Sequence, residues 1–137
     1  MAAAIALMPV LVIGIILAVL EIIFVHQDEG GMHPLAHALH AVPVMFIFIF
    51  ISMNISYVLG LIGMTDNQWV DIGVRVVVGI LAMIKIAAAA AVAGRVGEKL
   101  PHTIAIGVLV MVSPYLWELA LCQIPFIVSL PLSGCPV

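Results

Sequence analysis

The sequence predicts an all-α integral membrane protein with four transmembrane helices arranged as two helical hairpins. Its 137 residues are 66% hydrophobic and only 8% charged, with a mean hydropathy of +1.38, whereas a soluble domain has about 25% charged residues. Long segments without Asp, Glu, Lys or Arg recur along the chain. About 20 apolar residues are enough to cross a bilayer as a helix, so most of the chain is expected to lie in lipid.

The spans follow one another in a single membrane domain, residues 1–137, separated by short polar breaks. We expect spans at 3–25, 34–63, 71–94 and 103–124, followed by a Pro-rich tail, 125–137, that is too short to cross again. The first span lacks a positive n-region and exceeds the length of a signal-peptide core, so it is predicted to be retained. The segment HQDEGGMHP ends it with charge, glycine and proline. Pro43 and Pro114 are predicted to kink the second and fourth spans.

A candidate internal duplication relates the two hairpins. LAVLEI (17–22) and LAMIKI (81–86) share a pattern, and each is followed by a charged, Gly-containing loop and a Pro/His pair. Two hairpins repeated in the same orientation would be related by an axis along the membrane normal. Glu21 and Lys85 would then occupy equivalent positions. Chance similarity between two Leu/Ala/Ile-rich helices explains the match equally well.

The distribution of Lys and Arg predicts that both termini lie outside. Arg95 and Lys99 lie in the loop between the third and fourth spans, on the same side as the HQDEGG loop. Loops rich in Lys and Arg are usually cytoplasmic. Arg75, just inside the third span, favours the opposite orientation.

The two cysteines near the C-terminus leave two alternatives open. Cys122 and Cys135 flank a short Pro-containing segment and could close a loop. A disulfide there would require an oxidising compartment. Two unpaired cysteines in an apolar setting are the alternative.

Four charged residues are predicted to lie within the spans: Glu21, Lys85, Glu118 and Arg75. Charged side chains in a bilayer are costly and usually face a partner or a cavity inside the bundle. At a rise of about 1.5 Å per residue, Glu21 and Lys85 lie close enough in depth to pair. Glu118 and Arg75 share a depth near the opposite face, with Asn54 nearby. Such pairs either hold the helices in register or line a transport or proton path.

Histidines and acids are concentrated at one end of the second span. His33, His37 and His40 are spaced i, i+4, i+7 and are expected to share one helical face. Further ligand-type residues come from the adjoining loop and the fourth span: His26, Asp28, Glu29 and His102. Imidazole and carboxylate groups suit transition metals such as Zn, Fe or Cu. The set is therefore a candidate metal site, with interfacial hydration or a contact with another subunit as the alternative.

Several classes of protein do not fit the sequence. HPLAH (33–37) has the histidine spacing of a zincin motif but carries Pro34 where the glutamate base is needed. Haem held by His37 or His40 with His102 is a less favoured cofactor, because nothing else indicates haem. No Gly-rich phosphate loop, GxSxG motif or catalytic triad order is present, and no catalytic residue is predicted. A net charge of −3 without a basic patch excludes nucleic-acid binding.

Three functions remain open on this basis. The first is a transporter or channel for a metal cation or protons, with the histidine and acid cluster as its vestibule and intramembrane charges along its path. The second is an accessory subunit of a larger membrane complex. The third is a membrane metalloprotein, an enzyme or an electron carrier, using the His33/His37/His40 face. Because four spans bury little surface per chain, we expect a homo-oligomer or membership of a complex in the lipid bilayer.

Overall fold

The computed structural model of the chain describes residues 5–28, 34–64, 67–93 and 99–135. The regular structure of these residues is entirely helical, which confirms the all-α prediction. The helices are α1 (Leu7–Asp28), α2 (Pro34–Met53), α3 (Ile55–Leu61), α4 (Gln68–Ala93), α5 (Leu100–Leu119) and α6 (Pro125–Val128), with a 3-10 turn at Leu121–Gln123. The first, third and fourth predicted spans therefore correspond to α1, α4 and α5.

The four long helices form a bundle in which α2 and α5 contact each other. Helix α1 packs against α2 and α5, and α4 packs against the same two helices. Helices α1 and α4 occupy the remaining diagonal, and their described residues do not contact each other. Long helices that follow one another in the chain therefore pack together, and α5 also contacts α1 and α2.

Each long helix turns one stripe of residues toward the others. In α1 the buried residues are Val10, Ile13, Leu17, Glu21 and Val25; in α5 they include Thr103, Ile106, Val110, Ser113 and Trp117. Spacings of three and four residues place these side chains on one helical face. The centre of the core is apolar, and its polar members lie toward the two ends of the bundle.

Among the described residues, two or three helices are long and apolar enough to cross a membrane. Leu7–Gln27 and Leu100–Gln123 each qualify, and Leu39–Met53 with Ile55–Leu61 qualifies if the bent pair is one span. Helix α4 has 26 residues but carries three charges, at Asp71, Arg75 and Lys85. Large apolar side chains are exposed on the outside of the bundle, for example Leu11, Ile15, Val77 and Ile84, and such a surface suits lipid chains rather than water.

The second span differs from its prediction because it breaks at Asn54. The helix expected over 34–63 ends at Met53, and α3 leaves it at an angle of 89°. The Asn54 amide Nδ2 donates to the carbonyl of Phe50 at 3.0 Å, and its Oδ1 accepts the backbone N–H of Ala6 at 2.6 Å. Asparagine side chains that bond to backbone in this way compete with regular helix. The two prolines, by contrast, lie within continuous helices.

The α-helix of the fourth span ends at Leu119, and the candidate span continues through the 3-10 turn to Gln123, next to the predicted end at Ile124. The chain then turns back through the 3-10 turn and α6, and Cys135 forms a disulfide with Cys122 at a Cα–Cα distance of 5.5 Å. The indole Nε1 of Trp117 donates to the carbonyl of Ser133 at 3.0 Å. The tail is thus a closed loop that packs on the end of α5.

Helices α4 and α5 approach closely through two glycines. A Cβ atom added to Gly79 would collide with the side chain of Met111, and one added to Gly107 would collide with Met83 and lie 3.0 Å from the carbonyl oxygen of Gly79. Small residues allow helix backbones to approach in this way in membranes. Gly73, also in α4, has no neighbour within 4 Å of its Cβ position.

Candidate functional site

The polar residues of the bundle gather at its two ends. The histidine end consists of the last turns of α1 and the first turns of α2 and α5, with Glu21, Phe24, His26, His40, His102 and Thr103. The break end surrounds the helix break at Asn54, with Ser52, Asp71, Arg75, Ser113 and the disulfide-closed tail. An apolar core separates the two ends.

Glu21 is the charged residue buried most deeply at the histidine end. It lies on the core stripe of α1 between Leu17 and Val25 and is 0% exposed. The residue has a polar interaction, but its Oε2 atom is buried and accepts no hydrogen bond from the described residues. Ionisable residues buried within a membrane bundle are costly and rare. Glu21 is therefore a candidate functional residue.

An aromatic contact joins α1 to α5 at the histidine end, one turn from Glu21. Phe24 lies one turn after Glu21 on α1, and its ring stacks on His102 of α5, with centroids 4.3 Å apart and planes inclined by 9°. Thr103, the next residue of α5, is buried. The α1–α5 contact therefore places an imidazole and a hydroxyl at the same end of the bundle as the buried carboxylate.

The predicted metal site lies largely outside the part of the chain that the structure describes. His33 and Glu29 are not among the described residues, and Asp28 and His37 lie in helices whose side chains there are not described. His26 and His40 are exposed, and His102 is half-buried in its stack. Within the described residues no group of three His, Cys, Asp or Glu side chains could hold a metal ion. The metal site therefore stays a prediction.

The structure does not bring together the charge pairs that depth alone suggested. Lys85 is exposed on α4, which lies diagonally opposite α1, so it is not the neighbour of buried Glu21. Glu118 is exposed in the last turn of α5, because Ser113 and Trp117 take the buried positions there. Arg75 pairs with Asp71 instead, with 2.7 Å between Nε and Oδ1.

Arg75 joins three elements at the break end. Its Nε donates to Asp71 one turn earlier on α4, and its Nη1 donates to the backbone carbonyl of Ser52 in the last turn of α2. Carbonyls in the last turn of a helix lack intrahelical donors. The guanidinium also lies over the ring of Tyr115, 5.9 Å from its centroid. Arg75 therefore caps a broken helix while its charge is balanced by Asp71.

Two serines supply hydrogen bonds where proline and the helix break disturb the backbone. Pro114 has no N–H for the carbonyl of Val110, and Ser113 Oγ donates to that carbonyl at 2.9 Å. Ser52 Oγ donates to the carbonyl of Met111 at 3.4 Å, and the hydroxyls of Ser113 and Ser52 are 3.4 Å apart. Backbone groups in lipid need such internal partners.

Sequence reasoning missed Asp71 and Ser52, although each carries a signal. Asp71 and Arg75 are spaced i, i+4, which places them on neighbouring turns of one helix. Ser52 continues the stripe formed by Ala41, Met45 and Ile49. A search for polar residues at the ends of apolar stripes would have selected both, together with Glu21.

A pocket opens beside the helix break. It has a volume of about 170 Å³ and is lined by Met53, Asn54, Ile55, Ser56, Tyr57, Asp71 and Arg75. Ser56 is exposed and Asp71 partly exposed, so the pocket is open to ligands. We call it the break pocket.

The fold and these two polar ends define a helical membrane protein. Comparison with protein-family models, with curated proteins and with solved structures found no match.

Proposed function

We propose that this chain is a four-span membrane protein that moves protons or a metal cation, with the histidine end as its vestibule. The observation that carries the proposal is the complete burial of Glu21 on the core stripe of α1. Ionisable residues within spans commonly mark ion pathways and proton relays. In this proposal Glu21 takes up the ion or proton.

The surroundings of Glu21 support this role. The exposed imidazoles of His26 and His40 lie at the same end and face the entrance of the proposed path. His102 lies between water and the interior, stacked on Phe24. Imidazole groups that bind Zn, Fe or Cu would serve equally as a cation vestibule, with His33 and His37 as further ligands.

The disulfide supports an orientation for this path. Disulfides persist in oxidising compartments, so the break end with Cys122 and Cys135 faces that side in our proposal. The hydrogen bond from Ala6 to Asn54 places the start of α1 at the same end. Both termini are then outside, as the position of Lys99 at the other end also favours.

Flux measurements on reconstituted liposomes test the proposal. A dye for pH inside the vesicles should report proton entry through the wild-type protein under an inward gradient, and Glu21→Gln should abolish it. Glu118→Gln is the matched control, because Glu118 is an exposed glutamate of a neighbouring helix. A parallel set with dyes for Zn, Fe or Cu separates cation transport from proton transport.

Two outcomes contradict the transport proposal. One is wild-type flux no faster than that of empty liposomes for every ion tested. The other is full flux in Glu21→Gln with native helix content and an unchanged elution volume.

The second candidate function is that of an accessory subunit in a larger membrane complex, or of a homo-oligomer. The exposed position of Lys85 favours it, because Leu81 and Ile84 beside it are also exposed and the charge would otherwise meet lipid. A neighbouring subunit would shield the ammonium group. The particle mass by light scattering should fall in Lys85→Leu and remain unchanged in Lys99→Leu if this holds. A wild-type particle of one chain would contradict it.

A further inference from the structure

We propose that the break pocket binds a zwitterion that carries a primary ammonium group and a phosphate or carboxylate, the chemistry of an ethanolamine phospholipid headgroup. This site lies at the opposite end of the bundle from Glu21 and does not depend on the transport proposal. Its evidence is the juxtaposition of opposite charges, hydroxyls and an open cavity at a helix break.

The 89° bend at Asn54 creates the pocket. Helix α3 leaves the bundle there, so the end of α2, the side of α3 and the first turns of α4 enclose a space that a straight helix would fill. Pockets for drug-sized ligands are about 300–1,000 Å³. The break pocket, at about 170 Å³, suits a small polar group.

The pocket presents both signs of charge side by side. The side chains of Asp71 and Arg75 are 27% and 12% exposed, so the carboxylate is open to a ligand and the guanidinium lies deeper. Nε and Nη1 of Arg75 donate to Asp71 and Ser52. A guanidinium has donors on all three nitrogens. None of the described hydrogen bonds uses Nη2, so this nitrogen can donate to the acidic group of a ligand.

A zwitterion matches this pair better than a single charge. An anion alone would meet the Asp71 carboxylate, and a cation alone would meet Arg75. An ammonium group at Asp71 and an acidic group at Arg75 satisfy both. Ser56 and Tyr57 also line the pocket, and their hydroxyls are donors suited to phosphate or carboxylate oxygens.

The depth of the pocket points to the lipid headgroup layer. Trp69, in the first turn of α4, is 80% exposed and precedes Asp71 by two residues. Tryptophan is enriched at the membrane–water interface. The disulfide-closed tail, which extends beyond the spans, lies at the same end. Ethanolamine phospholipids place their ammonium and phosphate groups at this level.

Thermal unfolding of the delipidated full chain in detergent tests the site. Short-chain phosphatidylethanolamine at saturating concentration should raise the Tm by roughly 5 °C through preferential binding to the folded state. The phosphatidylcholine of equal chain length lacks an N–H donor, and phosphatidylglycerol lacks the ammonium group, so each should give a much smaller shift. Free phosphoethanolamine and glycine, each added in a separate experiment, test whether the pocket binds a soluble zwitterion instead of a lipid.

Variants assign the effect to the pocket. Asp71→Asn should lose the phosphatidylethanolamine shift, whereas Glu118→Gln, which removes an exposed carboxylate outside the pocket, should keep it. If Asp71→Asn does not fold, native mass spectrometry of the wild-type protein in an equal mixture of phosphatidylethanolamine and phosphatidylglycerol replaces it, and enrichment of the former is expected.

Each outcome decides the proposal. A shift by phosphatidylethanolamine alone identifies a lipid, and a shift by free phosphoethanolamine or glycine without the lipid identifies a soluble zwitterion. Equal shifts with phosphatidylglycerol and phosphatidylethanolamine, equal enrichment in the mass spectrum, or no shift by any of these compounds would overturn it.

Discussion

The two ends of the bundle handle polar groups in opposite ways. At the break end, Arg75 donates to the carbonyl of Ser52 beside the helix break, and Ser113 donates to the carbonyl of Val110, which Pro114 leaves without a backbone donor. At the histidine end, Glu21 is buried with one carboxylate oxygen that accepts no hydrogen bond from the described residues. Satisfied networks rigidify a structure, and the break end contains such a network. The histidine end is distinguished instead by a completely buried ionisable side chain, on which the transport proposal rests.

The largest expected loss of stability comes from the break end. Arg75→Leu removes two hydrogen bonds, to Asp71 and to the carbonyl of Ser52, and hydrogen bonds to charged groups contribute about 1.5–3 kcal/mol each, so the two together should cost about 3–5 kcal/mol. We expect that loss in the free energy of unfolding in mixed detergent micelles. Glu118→Leu, which replaces an exposed charge in the last turn of α5, should change stability by less than about 0.5 kcal/mol. If both variants lowered the free energy of unfolding equally, Arg75 would have no special role in stabilising the break end.

Loss of the disulfide is expected to cause the second-largest loss of stability. A closed loop of this length restricts the unfolded chain by about 3 kcal/mol. Cys122→Ser with Cys135→Ser should lower stability by about that amount, and the fluorescence of Trp117 should shift as its bond to Ser133 loosens. Reduction of the wild-type protein should reproduce the change. An identical emission spectrum and stability would show that the tail packs without the crosslink.

The close contact between α4 and α5 should give a smaller effect. Gly107→Ala places a methyl group against Met83 and the backbone of Gly79, and overpacking of this kind costs about 1–3 kcal/mol. Gly73→Ala, in open surroundings, should be neutral or stabilising because alanine favours helix. The difference between the two unfolding free energies measures the packing. A Gly107→Ala protein as stable as Gly73→Ala would contradict the close approach.

The smallest stability effect is expected at Glu21. Glu21→Leu removes the cost of burying a carboxylate but also removes the polar interaction of that residue. These two effects have opposite signs, so the free energy of unfolding should change by less than about 1 kcal/mol. The same variant should lose ion flux. A loss of several kcal/mol together with normal flux would make Glu21 a structural residue and reverse the comparison between the ends.

Much of the fold could be predicted from local pattern. The apolar runs placed α1, α4 and α5 within a few residues, and Pro34 correctly marked the start of α2. The break at Asn54 was missed because the apolar run continues on both sides of it, and a single asparagine in such a run is ambiguous. The fourth span ends close to its predicted end, at Gln123, but the change from α-helix to a 3-10 turn after Leu119 carried no local signal. The candidate duplication stays a prediction.

The candidate site was predicted less well, and Lys85 shows why. Helical rise gives the depth of a charge along the membrane normal, and depth made Lys85 a plausible partner of Glu21. Pairing also depends on which helices are neighbours and how each is rotated about its axis. The bundle places α1 and α4 on a diagonal and turns Lys85 outward. The same limitation applied to Glu118 and Arg75.

The sequence by itself determined the membrane class, the helical content and the concentration of ionisable groups at one end, because apolar length and residue spacing are local properties. Only the tertiary structure decided that Glu21 lies in the core, that Arg75 binds Asp71 and Ser52, that a pocket opens at Asn54 and that the cysteines pair. These features depend on contacts between residues distant in the chain. Such contacts are set by packing over the whole bundle, which no single segment encodes.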